Sequence, residues 1–484
     1  MRTLLAGATI VPIRPRAQVL ENAAIGFDSD TGLILELVAS GQPSGEEYDQ
    51  ILNASGTIIM PGLVNGHGHA VQTWYRGSQE QRPLELWRQY IKARDRRLRD
   101  DDLRLGALLS AVELLRDGCT TTMEHFYATS SRPAMGAEAV LDAWAQVGIR
   151  GVLAPMLTDV GFEQSVGISL PADDPAAQAE IARITRSETA ATVDDVAEFV
   201  AAHLSDNELV SFRFGPSAPH RCSEGLIRRV AELSEELGVG WHMHVAETAK
   251  QYETSLATFG RSPVARLHHL GVLSADCSLA HVNHCSDEDI DHLAKSGAAV
   301  VHNPVSNMKL GSGIARIPAM RAAGVTVALG VDGAASNDSQ NMREVMKAAA
   351  VLRGVSGDHF SSWLSAWDVL EMGTLGGAVA NGLGHLVGSL EVGKRADLVV
   401  IGRTPGLVPL NDVARQLVFT GWEDGIRRVY VGGRLRVQDG TIPGLDVEGL
   451  FDEVEARFVE LRREFAEADL EVAALEKSLA SGLY

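Results

Sequence analysis

The sequence predicts an α/β fold: a (β/α)8 TIM-type barrel with a small composite β domain built from both chain ends and a C-terminal helix. Three observations carry that reading. Between Pro61 and about Ala380, eight short apolar runs alternate with segments of helical period. No Gly-x-Gly-x-x-Gly follows an early run, which disfavours a doubly wound open sheet. Histidines collect at the ends of the apolar runs, where barrel enzymes place their active residues.

The elements follow in order. Residues 3–12, 23–38 and 51–60 read as strands separated by Gly, Asp and Ser turns. The eight runs are 58–66, 118–124, 149–155, 212–216, 240–245, 278–282, 298–302 and 325–331. Between them, Asp100-Asp101-Asp102 opens a helix that stops at Gly118, and Ser223 opens one that stops at Gly238. Ser286 with Asp289 forms a capping box for a helix ending at Gly297. A longer insertion between Met156 and Val210 is placed to cover the barrel mouth. The stretches 388–402 and 428–439 return to strand character, so both flanks are expected to share one β domain. The division is then 1–60 and 381–445 for that domain, 61–380 for the barrel and 446–484 for a helical extension. In the extension, Phe451, Val454, Phe458, Leu461 and Phe465 form a stripe that must bury against the chain's own barrel or a second copy; a homodimer or larger assembly is the expectation.

Composition narrows the function. With 43 Lys and Arg against 63 Asp and Glu, the 484-residue chain carries a formal charge of −20, which argues against a nucleic-acid partner. No apolar run reaches the ~18 residues of a membrane span, and Met1–Ala8 is interrupted too soon for a signal peptide. The 4 cysteines are scattered and read as reduced thiols. A cytoplasmic protein without a membrane partner is expected.

The chemistry sits in the histidines. His67 and His69 end the first run two residues apart, so a strand puts both on one side. The fifth run ends in His242-Met-His244-Val-Ala-Glu247, the sixth in His281-Val-Asn-His284, the seventh in His302-Asn303-Pro304 and the eighth in Val331-Asp332-Gly333. A zinc site with an open position needs about three neutral nitrogens and a carboxylate. His67, His69, His244 and Asp332 supply that set. Glu247, just beyond the strand, suits a proton shuttle, and His281 a hydrogen-bond partner of the attacking water. His242 is expected to be structural. His284 and His302 either line the pocket or are buried and hydrogen-bonded. Trp87 is a stacking surface for a planar ring; Ser217 and Asn303 are candidate substrate contacts. Ser336-Asn337-Asp338 should organise the loop around Asp332, and His268-His269 reads as a helix C-terminal feature.

Taken together, Pro61–His69, His242–Thr248, Leu279–His284, His302–Gly313, Gly330–Asp338 and Gly393–Leu398 resemble the amidohydrolase superfamily, in the mononuclear branch of heterocycle deaminases, adenosylhomocysteine-type deaminases and s-triazine hydrolases. The resemblance spans nearly the whole chain to about residue 445. It implies the barrel with a composite β domain, and one divalent metal per subunit, zinc first and iron or manganese next. Two-metal members carry a lysine at the end of the fourth strand; Phe212–Ser217 has none. The implied reaction is hydrolytic deamination of a small neutral nitrogen heterocycle by metal-activated water, Asp332 taking the water proton, Glu247 protonating the ring nitrogen and His281 steadying the attacking oxygen. Chloride displacement from a triazine, or amide or urea hydrolysis, would use the same machinery. Adenosine-type deaminases carry His where this chain has Ser217, and a ribose-binding Glu at a position that falls, counted without gaps from His69, on Arg96 beside Asp95. Free bases, pterins and triazines are therefore expected ahead of nucleosides, and a non-enzymatic scaffold is disfavoured because no ligand is lost.

Overall fold

Both ends of the chain meet in one sheet. The computed structural model describes residues 1–39, 47–127, 133–161, 165, 191–204, 207–476 and 480. In it, β1 (Arg2–Ile10), β2 (Leu20–Asp28), β3 (Ile34–Val38), β4 (Gln50–Asn53) and β5 (Ile58–Pro61) join β17 (Leu398–Ile401), β18 (Ile426–Val431) and β19 (Arg434–Gln438). The order is β19-β18-β17-β5-β1-β2-β3, with β4 beside β1. β5 is the seam: Ile59 lies opposite Val400 in an antiparallel ladder and opposite Ile10 in a parallel one. Leu5, Ile25, Phe27, Ile59, Leu398 and Tyr430 form the apolar core of this sheet.

The strand expected over 58–66 divides at Gly62. Pro61 has no N–H to continue a ladder, and Gly62 passes so close to Thr120 that a Cβ there would lie 2.1 Å from its Oγ1. The chain therefore leaves the flank sheet and starts a parallel one as β6 (Leu63–Asn65). One parallel ladder runs β6, β8 (Cys119–Phe126), β9 (Arg150–Leu157) and β10 (Val210–Phe212). A second runs β12 (Trp241–Val245), β13 (Cys277–His281), β14 (Ala299–His302) and β15 (Val327–Leu329). β11 (Gly215–Pro216) pairs with β9, and β7 (Gly68–His69) pairs with β16 (Asp332–Gly333). Two backbone links join the ladders: Phe214 bridges Trp241 in parallel, and the Gly66 N–H donates to Leu329 O at 2.9 Å. These strands are buried on both faces, as parallel strands flanked by helices must be.

Helix boundaries follow the local chemistry. Ser223 Oγ accepts the Leu226 N–H and that helix closes at Gly238 with φ +63°. The Ser286/Asp289 capping box is formed, and its helix closes at Gly297 with φ +77°. The insertion expected to cover the barrel mouth falls largely outside the described residues. The flank sheet is tied to the parallel strands by a buried pair, Arg150 donating to both Asp397 oxygens at 3.0 and 3.1 Å. No helix among the described residues is long and apolar enough to cross a membrane.

The C-terminal helix Val447–Ala473 packs on the helix α1 (Leu84–Asp95) of the same chain. Leu461 and Phe465 of the expected stripe are buried there, Phe465 with its ring edge on Tyr75 at 5.4 Å, whereas Phe458 stays exposed. Arg94, buried on α1, donates to both Asp469 oxygens at 2.8 and 2.5 Å. Its guanidinium also lies 5.4 Å from the Phe465 ring centre. Asp469→Ala strands this buried cation and is expected to cost about 2 kcal/mol in urea unfolding. Deleting 447–484 should cost more; an unchanged unfolding midpoint in both proteins would exclude a packing role for this helix.

Candidate active site

The strand ends converge on one point because their register is pinned. Asn65 donates to Thr122 Oγ1 at 3.1 Å and its Oδ1 accepts the Val331 N–H at 2.9 Å, tying β6 to its neighbours on both sides. The Asp332 N–H donates to His67 O at 3.0 Å, and Gly333 lies opposite His69. Asn337 donates to Val331 O at 2.8 Å, so the Ser336–Asp338 loop does brace the turn that carries Asp332.

Hydrogen bonds then fix which nitrogen of each imidazole is bare. His69 Nδ1 lies 2.9 Å from His125 O and His244 Nδ1 lies 2.8 Å from Ser217 O; a carbonyl accepts only, so both Nδ1 carry hydrogen and both Nε2 are lone pairs. His67 Nδ1 lies 2.8 Å from His242 Nε2, and His242 Nδ1 2.7 Å from Ser278 Oγ. Read as a donor chain towards Ser278, this leaves His67 Nε2 bare; it is buried without a partner among the described residues. Burial lowers the pKa of all three rings, His69 to about 3, and keeps them neutral. Nε2 of His69 and of His244 are 3.3 Å apart, and Asp332 Oδ1 is 3.5 Å from His67 Nε2 and 3.4 Å from His69 Nε2. Burial opposes ionisation of Asp332, yet the close approach of His67, with His69 and His281 beside it, holds its carboxyl well below the usual range. Bare lone pairs facing one another at these distances in a dry site repel unless a cation lies among them. The donor set fits a divalent metal.

Glu247 is buried beside this cluster, its Oε2 3.8 Å from His281 Nε2. Burial pushes its carboxyl up to about 7, with His281 opposing and Asp332 and Glu85 adding to the rise. His281 Nδ1 lies 2.9 Å from Asn307 Oδ1; Asn307 donates to Asn283 at 2.7 Å and Asn283 to the Glu247 backbone carbonyl at 2.9 Å, a buried chain that ties the His281 ring to the backbone carrying Glu247. Asp332 Oδ2 accepts from Ser306 Oγ at 2.6 Å.

One cavity opens over the cluster, lined by His69, His244, Glu247, His281 and Asp332 at its floor. Trp87 and Ser217 line it. Asn303 is not on its wall; the side chain is buried behind the site, its Nδ2 3.3 Å from His281 Nδ1. His242 has the orienting position described above. His284 is bonded to Ser312 O at 2.7 Å, and neither His284 nor His302 is on the cavity wall. His268 lies in the last turn of the helix Pro263–His269 and stacks on His292 with ring centres 3.8 Å apart.

Sequence reasoning missed several wall residues. Glu85, Arg88 and Lys92 line the cavity from α1 at helical spacing with Asp95, the residue noted beside Arg96, a polar stripe that the pattern already contained. His125 and Glu124 end the second parallel strand, where the strand-end argument should have looked for them. His220, three residues past Ser217, had no such signal; burial holds its pKa near 3.

The chain is 33% identical over 461 residues to a 5-methylthioadenosine/S-adenosylhomocysteine deaminase of Moorella thermoacetica, covering 94% of this chain and 99% of the relative. Its fold superposes on an adenosine deaminase of Xanthomonas campestris with bound zinc (TM-score 0.83, 28% identity, 95% and 98% coverage). A zinc complex of an atrazine chlorohydrolase from Arthrobacter aurescens is similar to the same degree (TM-score 0.83, 25% identity, 94% and 100% coverage). The amidohydrolase family model matches residues 58–436. With that match over most of its length, the chain belongs to the amidohydrolase family.

Proposed function

We propose that the protein is a metal-dependent aminohydrolase that removes an exocyclic amino or substituted-amino group from a nitrogen heterocycle, on a closed (β/α)8 barrel. The observation that carries this reading is the set of bare donors His67, His69 and His244 beside the ionised Asp332, with a buried, proton-holding Glu247 on the same floor. His67, His69, His244 and Asp332 would hold one divalent cation, zinc first and iron or manganese next. When bound, the cation would supply Lewis acidity that lowers the pKa of water at the site.

The side chains do the rest. Asp332, fixed by Ser306, accepts the proton of the attacking water. Glu247 delivers a proton to the ring nitrogen beside the reacting carbon; its burial keeps that proton available near neutral pH. His281 Nδ1 is committed to Asn307, so Nε2 is left to accept a hydrogen bond from the attacking oxygen. The surrounding apolar strands exclude bulk water and strengthen each of these interactions.

Free bases, pterins and triazines remain the first reading for the ring. A second reading, an adenosine-type nucleoside, has specific support. Glu85 and Asp95 put carboxylates on the cavity wall, and His220 puts an imidazole there although Ser217 does not. Two of the proteins named above, the Moorella and Xanthomonas deaminases, also act, by their names, on adenosine or its derivatives.

Elemental analysis is expected to find one divalent transition metal per chain, lost on substitution of His67, His69, His244 or Asp332 by Ala. Two metals per chain would overturn the mononuclear site. Glu247→Gln should keep the metal and lower kcat by a factor of about 10² or more; loss of the metal would instead make Glu247 a ligand. In a panel of free bases, pterins, triazines, nucleosides and aryl ureas at equal concentration, ammonia or amine release is expected from an amino-bearing ring. Dominant turnover of adenosine derivatives would select the second reading, and turnover confined to ureas or amides would remove the enzyme from the deaminases.

A further inference from the structure

We propose that Glu124 is a specificity-determining residue. Its carboxyl group hydrogen-bonds an amino-bearing N=C–NH2 edge of the substrate other than the one being hydrolysed, so the preferred rings carry at least two amino groups. The inference rests on the aminohydrolase reading and deepens it by naming the substrate class.

Glu124 is 3% exposed and lines the cavity. Its Oε2 accepts the Ala70 N–H at 2.6 Å. Its Oε1 has no hydrogen-bond partner among the described residues, and no cation among them pairs with the carboxyl. Oε1 is not among the buried unpartnered atoms, so it is open to the cavity, where a group that enters can complete its bonding. Burial also pushes the group up to about 8, which favours the neutral acid. The anchor is rigid: Ala70 follows His69, and His69 in turn bonds the carbonyl of His125, the residue after Glu124. The free oxygen is thus held in a fixed relation to the metal cluster.

No role in the hydrolysis uses this group. Glu247 follows β12, whereas Glu124 is on β8, with β9 to β11 intervening, so the two carboxyls address different edges of a bound ring. A neutral carboxyl can donate from Oε1 to a ring nitrogen and accept an amino N–H at the second lone pair of Oε2. Its complement is an amino-bearing amidine edge, N=C–NH2. The amide of a glutamine offers the same donor and acceptor; a leucine offers neither.

The test measures binding apart from turnover. In the Glu247→Gln protein, calorimetry compares diaminopurine with adenine, and melamine with the mono-amino triazine. A preference of about tenfold for the diamino ring is expected from the added hydrogen bonds. Glu124→Gln in that background should keep the preference within about threefold, and Glu124→Leu should abolish it, at unchanged metal content and circular dichroism. Glu124→Ala replaces the leucine variant if that one does not fold. A preference unaffected by Leu or Ala would overturn the proposal. So would equal loss in the Gln and Leu variants, or failure of every ring to bind. Turnover of the same rings by the unsubstituted enzyme is scored separately. Glu124-dependent binding without hydrolysis would defeat the aminohydrolase reading alone; hydrolysis without Glu124-dependent selectivity would defeat this proposal alone.

Discussion

The arrangement of the strand ends depends on one electrostatic constraint: three bare imidazole nitrogens and an ionised carboxylate point at each other inside a dry site. Each is held there by an acceptor or donor on its far side, the carbonyls of His125 and Ser217, the His242–Ser278 relay and the Ser306 hydroxyl. These outer partners choose the tautomer and aim the lone pair, which is how outer hydrogen bonds tune a metal site. Some of the chain's left-handed backbone residues lie at the same place. Asp332 has φ +61°, His281 φ +73° and Val282 φ +48°, the last β-branched. Such residues cost of order 1–3 kcal/mol each and persist where surrounding bonds over-determine them. Here the Asp332 N–H is bonded to His67 O and the Val282 N–H to Val245 O, so the strain is locked in by neighbouring strands.

The wall above the cluster is built differently. α1 turns Glu85, Arg88, Lys92 and Asp95 towards the cavity and, with Tyr75 from the short helix Ala70–Tyr75, receives the C-terminal helix on Arg94. Tyr75 joins the two sides, since its hydroxyl donates to Asp95 Oδ1 at 2.7 Å while its ring meets Phe465. Arg97 and Glu471 add a further ion pair at 2.8 Å. The terminal helix thus supports the face of α1 that borders the substrate space. Buried apolar contact supplies the adhesion and the buried Arg94–Asp469 pair supplies the register. The floor is therefore set by strand register and the wall by helix packing, which lets the wall vary while the floor is kept.

The sequence by itself determined the α/β alternation and the chemistry of the floor. Period 2 places His67 and His69 on one side of a strand, and the same logic brings His244, His281 and Asp332 to strand ends, because parallel strands in register expose equivalent ends together. Capping at Ser223 and Ser286 was equally local, since a side chain bonding a backbone N–H three residues on needs no tertiary partner. Tertiary structure alone decided the rest. The break at Gly62 depends on the approach of Thr120, distant in sequence. Asn303 looked like a cavity residue from its position after a strand, but it lies behind His281 because Pro304 begins a helix there at once. His220 reaches the wall through a short turn whose direction no periodicity encodes. The partly satisfied carboxyl of Glu124 is invisible in a one-dimensional pattern, because whether an oxygen has a partner is a fact about neighbours in space.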